Sequence, residues 1–308
     1  MTEHLYILGH PIGHSKSPVM YNAVFKRAEL PWVYGARDLP EPAQAERFLA
    51  ERDFLSINIT TPYKPAALAA ADVQAASARL AHGANVLANK GGTLVAYNTD
   101  GQGCVASLER EGVTFKGASV VVCGTGPTSL SILHAVAQAG PAEVVLVGRS
   151  VERSHEVLRT YADELGGMVG RIVDMPALRE HHLSFAEVYK QVNFRYGSYD
   201  TSRQAIAGAD IIIDATPLGM NEGDGAPFDT ALLRADQTVF DVVYGHGETA
   251  LAAAAREAGC TFFDGAGMLV GQAVVTVGIL RDITETAALD IPEDELFAIM
   301  AQAAGFDR

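Results

Sequence analysis

The chain is poor in cysteine, sparing with charge and nearly without tryptophan. Of its 308 residues only 3 are cysteine and 1 is tryptophan. Cys104, Cys123 and Cys260 stand far apart and form no CxxC pair. That pattern argues against a disulfide framework and against a zinc site, and leaves them the role of small buried apolar side chains. No apolar run approaches membrane-spanning length without interruption, and the opening MTEHLYILGHPIGHS has no basic region followed by a long apolar core. The expectation is a cytoplasmic protein with no membrane partner. Internal repeats and low-complexity tracts are missing too. Positive charge is scarce: 23 Lys and Arg face 37 Asp and Glu, a net charge of −14, which argues against nucleic acid as a partner. An anionic ligand would need a local positive island built from helix N-termini and a few cationic side chains.

What the chain does have is an ordinary enzyme composition, 48% apolar and 19% charged, and a regular alternation of strand-like and helical patterns. That alternation points to an α/β fold with parallel sheets. Up to about residue 102 the strands read LYILG, WVYGARDL, FLSINIT and TLVAYN; from about residue 118 come SVVVCG, EVVLVG, GRIVD, DIIIDA, TVFDVV and CTFFDG. The second series has the strand count of a doubly wound, Rossmann-like dinucleotide-binding sheet. The expected organisation is two domains, 1–112 completed by helices in 266–308, and 113–265, with a cleft between the lobes. The stretch 175–205 is longer than a usual crossover. It carries His181 and His182, a solvated pair by preference over a metal site.

Three segments concentrate chemistry. In SKSPVM, Ser17 suits an N-cap and Pro18 the first helical position, with Val19, Met20, Ala23 and Val24 spaced to bury one face. Ser15, Lys16 and Ser17 would then meet an anion at a helix N-terminus. In SVVVCGTGPTSLSILHAVAQAG, Gly124 permits a tight turn, Gly126 lets backbone approach a pyrophosphate, and Ser129 replaces the third fingerprint glycine. Pro127 and Thr128 open the helix, and Gly140 closes it. After EVVLV, where an NAD site usually has an acid, the chain offers Arg149, Ser150 and Arg153, a set suited to the 2′-phosphate of NADP. In FLSINITTPYK, apolar Leu55, Ile57 and Ile59 alternate with Ser56, Asn58 and Thr60, and Lys64 follows Pro62. In TLVAYNTDGQG a second strand delivers Asn98, Thr99 and Asp100. Lys64 and Asp100 both lie just past strand C-termini, where α/β sheets bind ligands, and together make a proton-handling pair.

These motifs in this order resemble the shikimate dehydrogenase family. Ser15 to Pro18, Asn58 to Lys64, GAN at 83–85, Asn98 to Gly101, DATPLGM at 214–220 and GMLVGQA at 267–273 match its pattern over nearly the whole chain. The resemblance implies that Lys64 and Asp100 are the catalytic pair. It implies further that Ser15, Ser17, Thr60, Asn85, Asp100, Gln272 and Tyr244 hold the substrate, and that Thr216 and Gly265 join Gly124, Gly126, Pro127, Thr128, Ser129, Arg149, Ser150 and Arg153 around NADP. The expected activity is the reversible NADP-dependent reduction of 3-dehydroshikimate to shikimate in aromatic amino-acid biosynthesis, by a monomer or homodimer. The alternatives are a relative acting mainly on quinate and a non-catalytic ligand sensor; intact Lys64 and Asp100 count against the sensor. Three departures stand out: GHGET follows Tyr244 where the family has an asparagine-proline pair, Gly148 replaces its asparagine before Arg149, and 175–205 is expanded.

Overall fold

Apolar, β-branched runs separated by helices give two six-stranded sheets. The computed structural model of the chain describes residues 3–173 and 192–306; His181 and His182 lie outside the described residues. The chain divides into two compact units, Met1–Gly103 with Leu269–Arg308, and Cys104–Met268.

The first unit contains β1 (His4–Gly9), α1 (Ser17–Arg27), β2 (Val33–Asp38), α2 (Pro42–Glu51), β3 (Ser56–Ile59), α3 (Lys64–Ala70), β4 (Val73–Gln74), α4 (Ala76–Leu80), β5 (Val86–Lys90), β6 (Thr93–Tyr97) and the start of α5 (Asp100–Arg110). Its sheet runs β2-β1-β3-β5-β6-β4. The expected parallel sheet is corrected here: β5 is antiparallel to both β3 and β6. A two-residue turn sets the β5–β6 pair. Gly91 and Gly92, at φ 60 and 92, supply the positive dihedrals that fold VLANK back on TLVAY. Alternation along β1 sends Leu5 and Ile7 into one core and Leu8 into the other. On β3 the polar face is covered as well, and Ser56 and Asn58 are as buried as Ile57.

The second unit is built as the strand-and-glycine pattern predicts. It holds β7 (Ser119–Cys123), α6 (Pro127–Gln138), β8 (Glu143–Gly148), α7 (Val151–Val173), β9 (Asn193–Ser198), α8 (Arg203–Gly208), β10 (Ile211–Asp214), β11 (Thr238–Asp241), α9 (Ala250–Ala258) and β12 (Thr261–Phe263). Every strand pair is parallel, in the order β12-β11-β10-β7-β8-β9. This is the arrangement of the doubly wound dinucleotide-binding sheet, read from its far edge. Helices on both faces explain why β7, β8 and β10 are almost continuously apolar and buried. One strand assignment fails. GRIVD does not form a strand, because α7 continues to Val173, a proline-free run rich in Glu, Arg and Leu. The edge position is taken by β9, which pairs with β8 from Glu143↔Asn193 to Gly148↔Ser198.

Two C-terminal helices, α10 (Ala266–Thr284) and α11 (Glu293–Ala304), complete the first unit's core. Among the described residues α10 is long and apolar enough to cross a bilayer by length and composition alone. The apolar side chains are used within the fold, since Val270, Ala273, Val274, Val277 and Leu280 pack with Leu5, Met20, Val24 and Phe25. Each such side chain, fully buried, is worth about 1.5–3 kcal/mol. Where α10 meets α5, glycine faces glycine. A Cβ on Gly103 would lie 2.3 Å from the Gln272 nitrogen, and one on Gly271 would lie 2.5 Å from the Gly103 oxygen. Backbone therefore touches backbone, and Gln272 is set one helical turn from Asp100. Gly103→Ala is expected to cost about 1–3 kcal/mol through overpacking, read as a lower denaturation midpoint with an unchanged m-value.

Candidate active site

The centre of the first unit is a buried carboxylate with two assigned neighbours. Asp100 opens α5 directly after the β6 turn, and Lys64 opens α3 after β3. The Lys64 ammonium donates to Asp100 Oδ2. Both side chains are largely withdrawn from water, 14% and 9% exposed, so this is a held pair and not the hydrated lysine a strand mouth suggests. Asn85 Nδ2 donates to the other oxygen, Asp100 Oδ1, at 2.7 Å, and to Thr99 Oγ1 at 3.0 Å. Its own carbonyl oxygen accepts the Thr99 N–H at 2.8 Å. The Asn98 carbonyl oxygen accepts the Asp100 N–H at 3.2 Å, while Asn98 Nδ2 donates to the Gly83 carbonyl at 2.8 Å. Asn85 is placed by backbone bonds on both sides, its N–H to Tyr97 and its carbonyl to Ile59. Lys64 is fixed to the same strand start, because its carbonyl accepts the Ala84 N–H at 2.9 Å.

The serine segment differs from the sequence reading. The N-cap of α1 is Lys16, no side chain caps the helix, and Ser17 and Pro18 fill its first turn. The Ser15 hydroxyl instead accepts the Ser17 N–H at 3.3 Å. Val19 is 49% exposed, and the buried face of α1 is Met20, Tyr21, Val24 and Phe25. Ser17 itself is buried, next to the Tyr34 phenol. That phenol donates to Asn58 Oδ1 at 2.8 Å and stacks on Tyr21 with ring centroids 4.4 Å apart. Burial raises the pKa of both tyrosines, so the segment offers neutral hydroxyls. Thr60 lies where Gly9 leaves room for it: a Cβ on Gly9 would sit 2.3 Å from the Thr60 methyl. Gln272 is buried, and its Nε2 donates to the Leu269 carbonyl at 2.8 Å.

In the second unit the glycine turn has the shape a dinucleotide needs. Gly124 takes φ +109, and a Cβ there would strike Ser129 Oγ at 2.5 Å. Ser129 is fully buried and packs its hydroxyl toward the Ala215 carbonyl at 3.5 Å. Gly126 is the N-cap of α6 with no side-chain cap, and a Cβ built on it meets nothing within 4 Å. The first-turn N–H groups beside Pro127 and Thr128 thus face an open cradle, which suits a pyrophosphate. On the next strand end Arg149 and Arg153 are exposed. Ser150 Oγ accepts the Arg153 N–H at 3.2 Å, so it caps α7, and Arg153 pairs with Glu156 at 2.8 Å. A chain carboxylate already offsets that arginine at the helix start. Thr216 accepts the Leu218 N–H at 3.3 Å. Gly265 lies against the Val242 carbonyl and the Tyr244 ring, 2.0 and 3.2 Å from a would-be Cβ, and burial raises the Tyr244 phenol.

Sequence reasoning missed Tyr21 and Tyr34 beneath the serines, as well as the carboxylates Asp214 and Asp241 at the strand ends. The tyrosines gave no local signal. The aspartates did, since each closes an apolar strand.

Comparison with known proteins identifies the family. Residues 7–87 match the shikimate dehydrogenase substrate binding domain. A shikimate dehydrogenase (NADP(+)) of Symbiobacterium thermophilum is 34% identical over 273 residues, 87% of this chain and 85% of the relative. One from Methanothermobacter thermautotrophicus is 30% identical over 302 residues, 96% and 95% of the two chains. The crystal structure of a shikimate 5-dehydrogenase of Thermus thermophilus, in complex with NADP(H) and shikimate, superposes with a TM-score of 0.73 at 24% identity, covering 98% of this chain and 99% of that one. At that identity the likeness carries the fold.

Asn85→Ala removes donors from Asp100 and Thr99 and an acceptor from the Thr99 N–H. The expected loss is about 1–3 kcal/mol, measured by urea unfolding. Asn85→Asp is expected to lose more, because it places a like charge against Asp100.

Proposed function

The chain belongs to the shikimate dehydrogenase family, and from that premise we propose that it catalyses the reversible NADP-dependent reduction of 3-dehydroshikimate to shikimate. The observation that carries the reading is the buried Lys64–Asp100–Asn85 network, in which one carboxylate has a proton donor on one oxygen and a carboxamide on the other. Its partners are small molecules, the alicyclic acid and NADP.

When bound, the cofactor supplies the hydride that adds to the C3 carbonyl carbon, or accepts it in reverse. The carbonyl oxygen gains negative charge as this happens. We assign to the Lys64 ammonium the hydrogen bond that stabilises that oxygen and the proton that neutralises it. Asp100 aims the ammonium, and water restores the proton after turnover. Asn85 keeps Asp100 from rotating, because Oδ1 is engaged while Oδ2 faces the lysine. Asp100 and Asn85 also present acceptor and donor groups for the ring hydroxyls. Ser15, Ser17 and Thr60 would meet the carboxylate with neutral hydroxyls at the start of α1, Gln272 and Tyr244 completing the set. Arg149 and Arg153 would bracket the 2′-phosphate, with Gly124, Gly126, Pro127, Thr128, Ser129, Ser150, Thr216 and Gly265 shaping the rest of the cofactor cradle. Arg153 exchanges Glu156 for the phosphate or shares it.

The direct test follows NADPH absorbance with shikimate and quinate, each with NADP and with NAD. Shikimate with NADP is expected to give the highest kcat/KM, and no turnover with either acid would end the proposal. Lys64→Gln keeps an N–H donor for Asp100 but has no proton to release, so turnover is expected to fall by about 10²–10⁴ in a protein that still melts cooperatively. Near-parental turnover would remove Lys64 from the chemistry. Arg149→Ala with Arg153→Ala is expected to raise KM for NADP strongly and leave NAD use little altered; equal losses with both cofactors would refute the phosphate assignment.

A further inference from the structure

Two buried aspartates end adjacent strands of the second sheet. Asp214 closes β10 and Asp241 closes β11, directly paired in register, and each is 1% exposed. Each turns its carboxyl back to shape the loop that follows. Asp241 Oδ1 accepts the Val243 N–H at 2.9 Å, and its Oδ2 accepts the Thr249 hydroxyl at 2.7 Å. Both of its oxygens are thus used. Asp214 Oδ1 accepts the Thr216 N–H at 2.9 Å, but Oδ2 has no hydrogen-bond partner among the described residues. The next residue along, Ala215, donates its N–H to the Cys123 carbonyl at 3.0 Å, and its own carbonyl would lie 3.2 Å from a Cβ on Gly124. The loop that Asp214 shapes is therefore pressed against the glycine turn of the cofactor cradle.

An ionised oxygen with no donor, buried beside a second carboxylate, is unstable; a protonated one is not. Among the described residues no cation contacts Asp214. The titratable groups acting on Asp214 and its neighbours are Asp241, the Cys123 thiol, the Tyr199 phenol, Arg149 acting on Tyr199, and Asp264 acting on Asp241. Burial raises the thiol and the phenol, so both are neutral. Burial likewise pushes Asp214 up to about 7, with the Asp241 charge adding and the Thr216 N–H opposing.

We propose that Asp214 is a positioning residue of the cofactor cradle that works as a neutral carboxylic acid, and that dinucleotide binding is coupled to its proton. The inference rests on the cofactor assignment made above. The acid form shapes the Ala215–Leu218 segment without adding charge beside the seat of the anionic pyrophosphate. The ionised form places a charge there, so binding weakens as pH rises through neutrality, and binding near pH 7 takes up a proton. The same sign holds for folding. A carboxyl raised in the folded state favours folding most below its unfolded value, and that contribution is lost as pH rises through about 7.

The test compares the full-length protein with Asp214→Asn, whose amide keeps the Oδ1 acceptor and carries no charge. Dissociation constants for NADP are measured by calorimetry from pH 5.5 to 8.5, and thermal midpoints of the cofactor-free proteins from pH 4 to 8.5. The parent Kd is expected to rise relative to the variant above pH 7, approaching roughly tenfold per pH unit, and the parent midpoint is expected to fall relative to the variant as pH rises from about 4 to about 7 and to level off above that. Parallel curves for the two proteins in both measurements would overturn the proposal. Should the variant not fold, proton uptake by the parent on binding NADP at pH 7, read from heats in buffers of different ionisation enthalpy, decides the matter; zero uptake overturns it. Failure of NADP to bind at any pH, with the midpoint difference intact, would instead overturn the cofactor assignment and the coupling with it.

Discussion

The first unit is organised around one carboxylate held still while it is nearly out of water. Asp100 solves this with one donor on each oxygen, an ammonium and a carboxamide. Buried ions are tolerated only when paired and hydrogen-bonded, and breaking such a pair costs far more than forming it gains. The surrounding architecture follows from that constraint. Asn85 stands at the start of β5, the strand that runs antiparallel between β3 and β6, and its backbone is bonded to Ile59 on one side and Tyr97 on the other.

The second unit is organised differently around its glycine turn. At the start of α6 no side chain caps the helix, Gly126 leaves open space where a Cβ would stand, and the strand-end carboxyls of Asp214 and Asp241 turn toward the loops that follow them. With a net charge of −14 over the chain, long-range attraction cannot bring an anion in. Short-range geometry has to hold it.

How much of this was legible in the sequence varies with the range of the interaction. Strands β7, β8, β10 and β11 were readable because both faces are buried and the residue choice is locally uniform. Gly124 and Gly126 were readable because a tight turn before a helix leaves few alternatives. Lys64 and Asp100 were readable as a pair, because each stands just past a strand C-terminus, although the contact of Asn85 with the other Asp100 oxygen was not. The cap of α1 was misplaced by a residue, since Ser15 reaches forward to Ser17 and local propensity favours either serine. Strand β9 was missed because it is an edge strand, paired only with β8 and short of buried side chains. The orphaned Asp214 oxygen is a tertiary fact, visible only once β11 brings Asp241 beside it.

The glycine contact between α5 and α10 bears on the order in which the protein matures on the ribosome. Gln272 and the core residues Val270 to Met300 lie after the whole of the second unit in the chain. The second unit has its strands and helices emerge in one continuous stretch and can fold as a unit during synthesis. The first unit, begun earliest, must wait with Leu5, Met20, Val24 and Phe25 uncovered until α10 and α11 are made. The half of the molecule translated first is thus the half completed last, and its exposed apolar face is what a chaperone would meet in the interval.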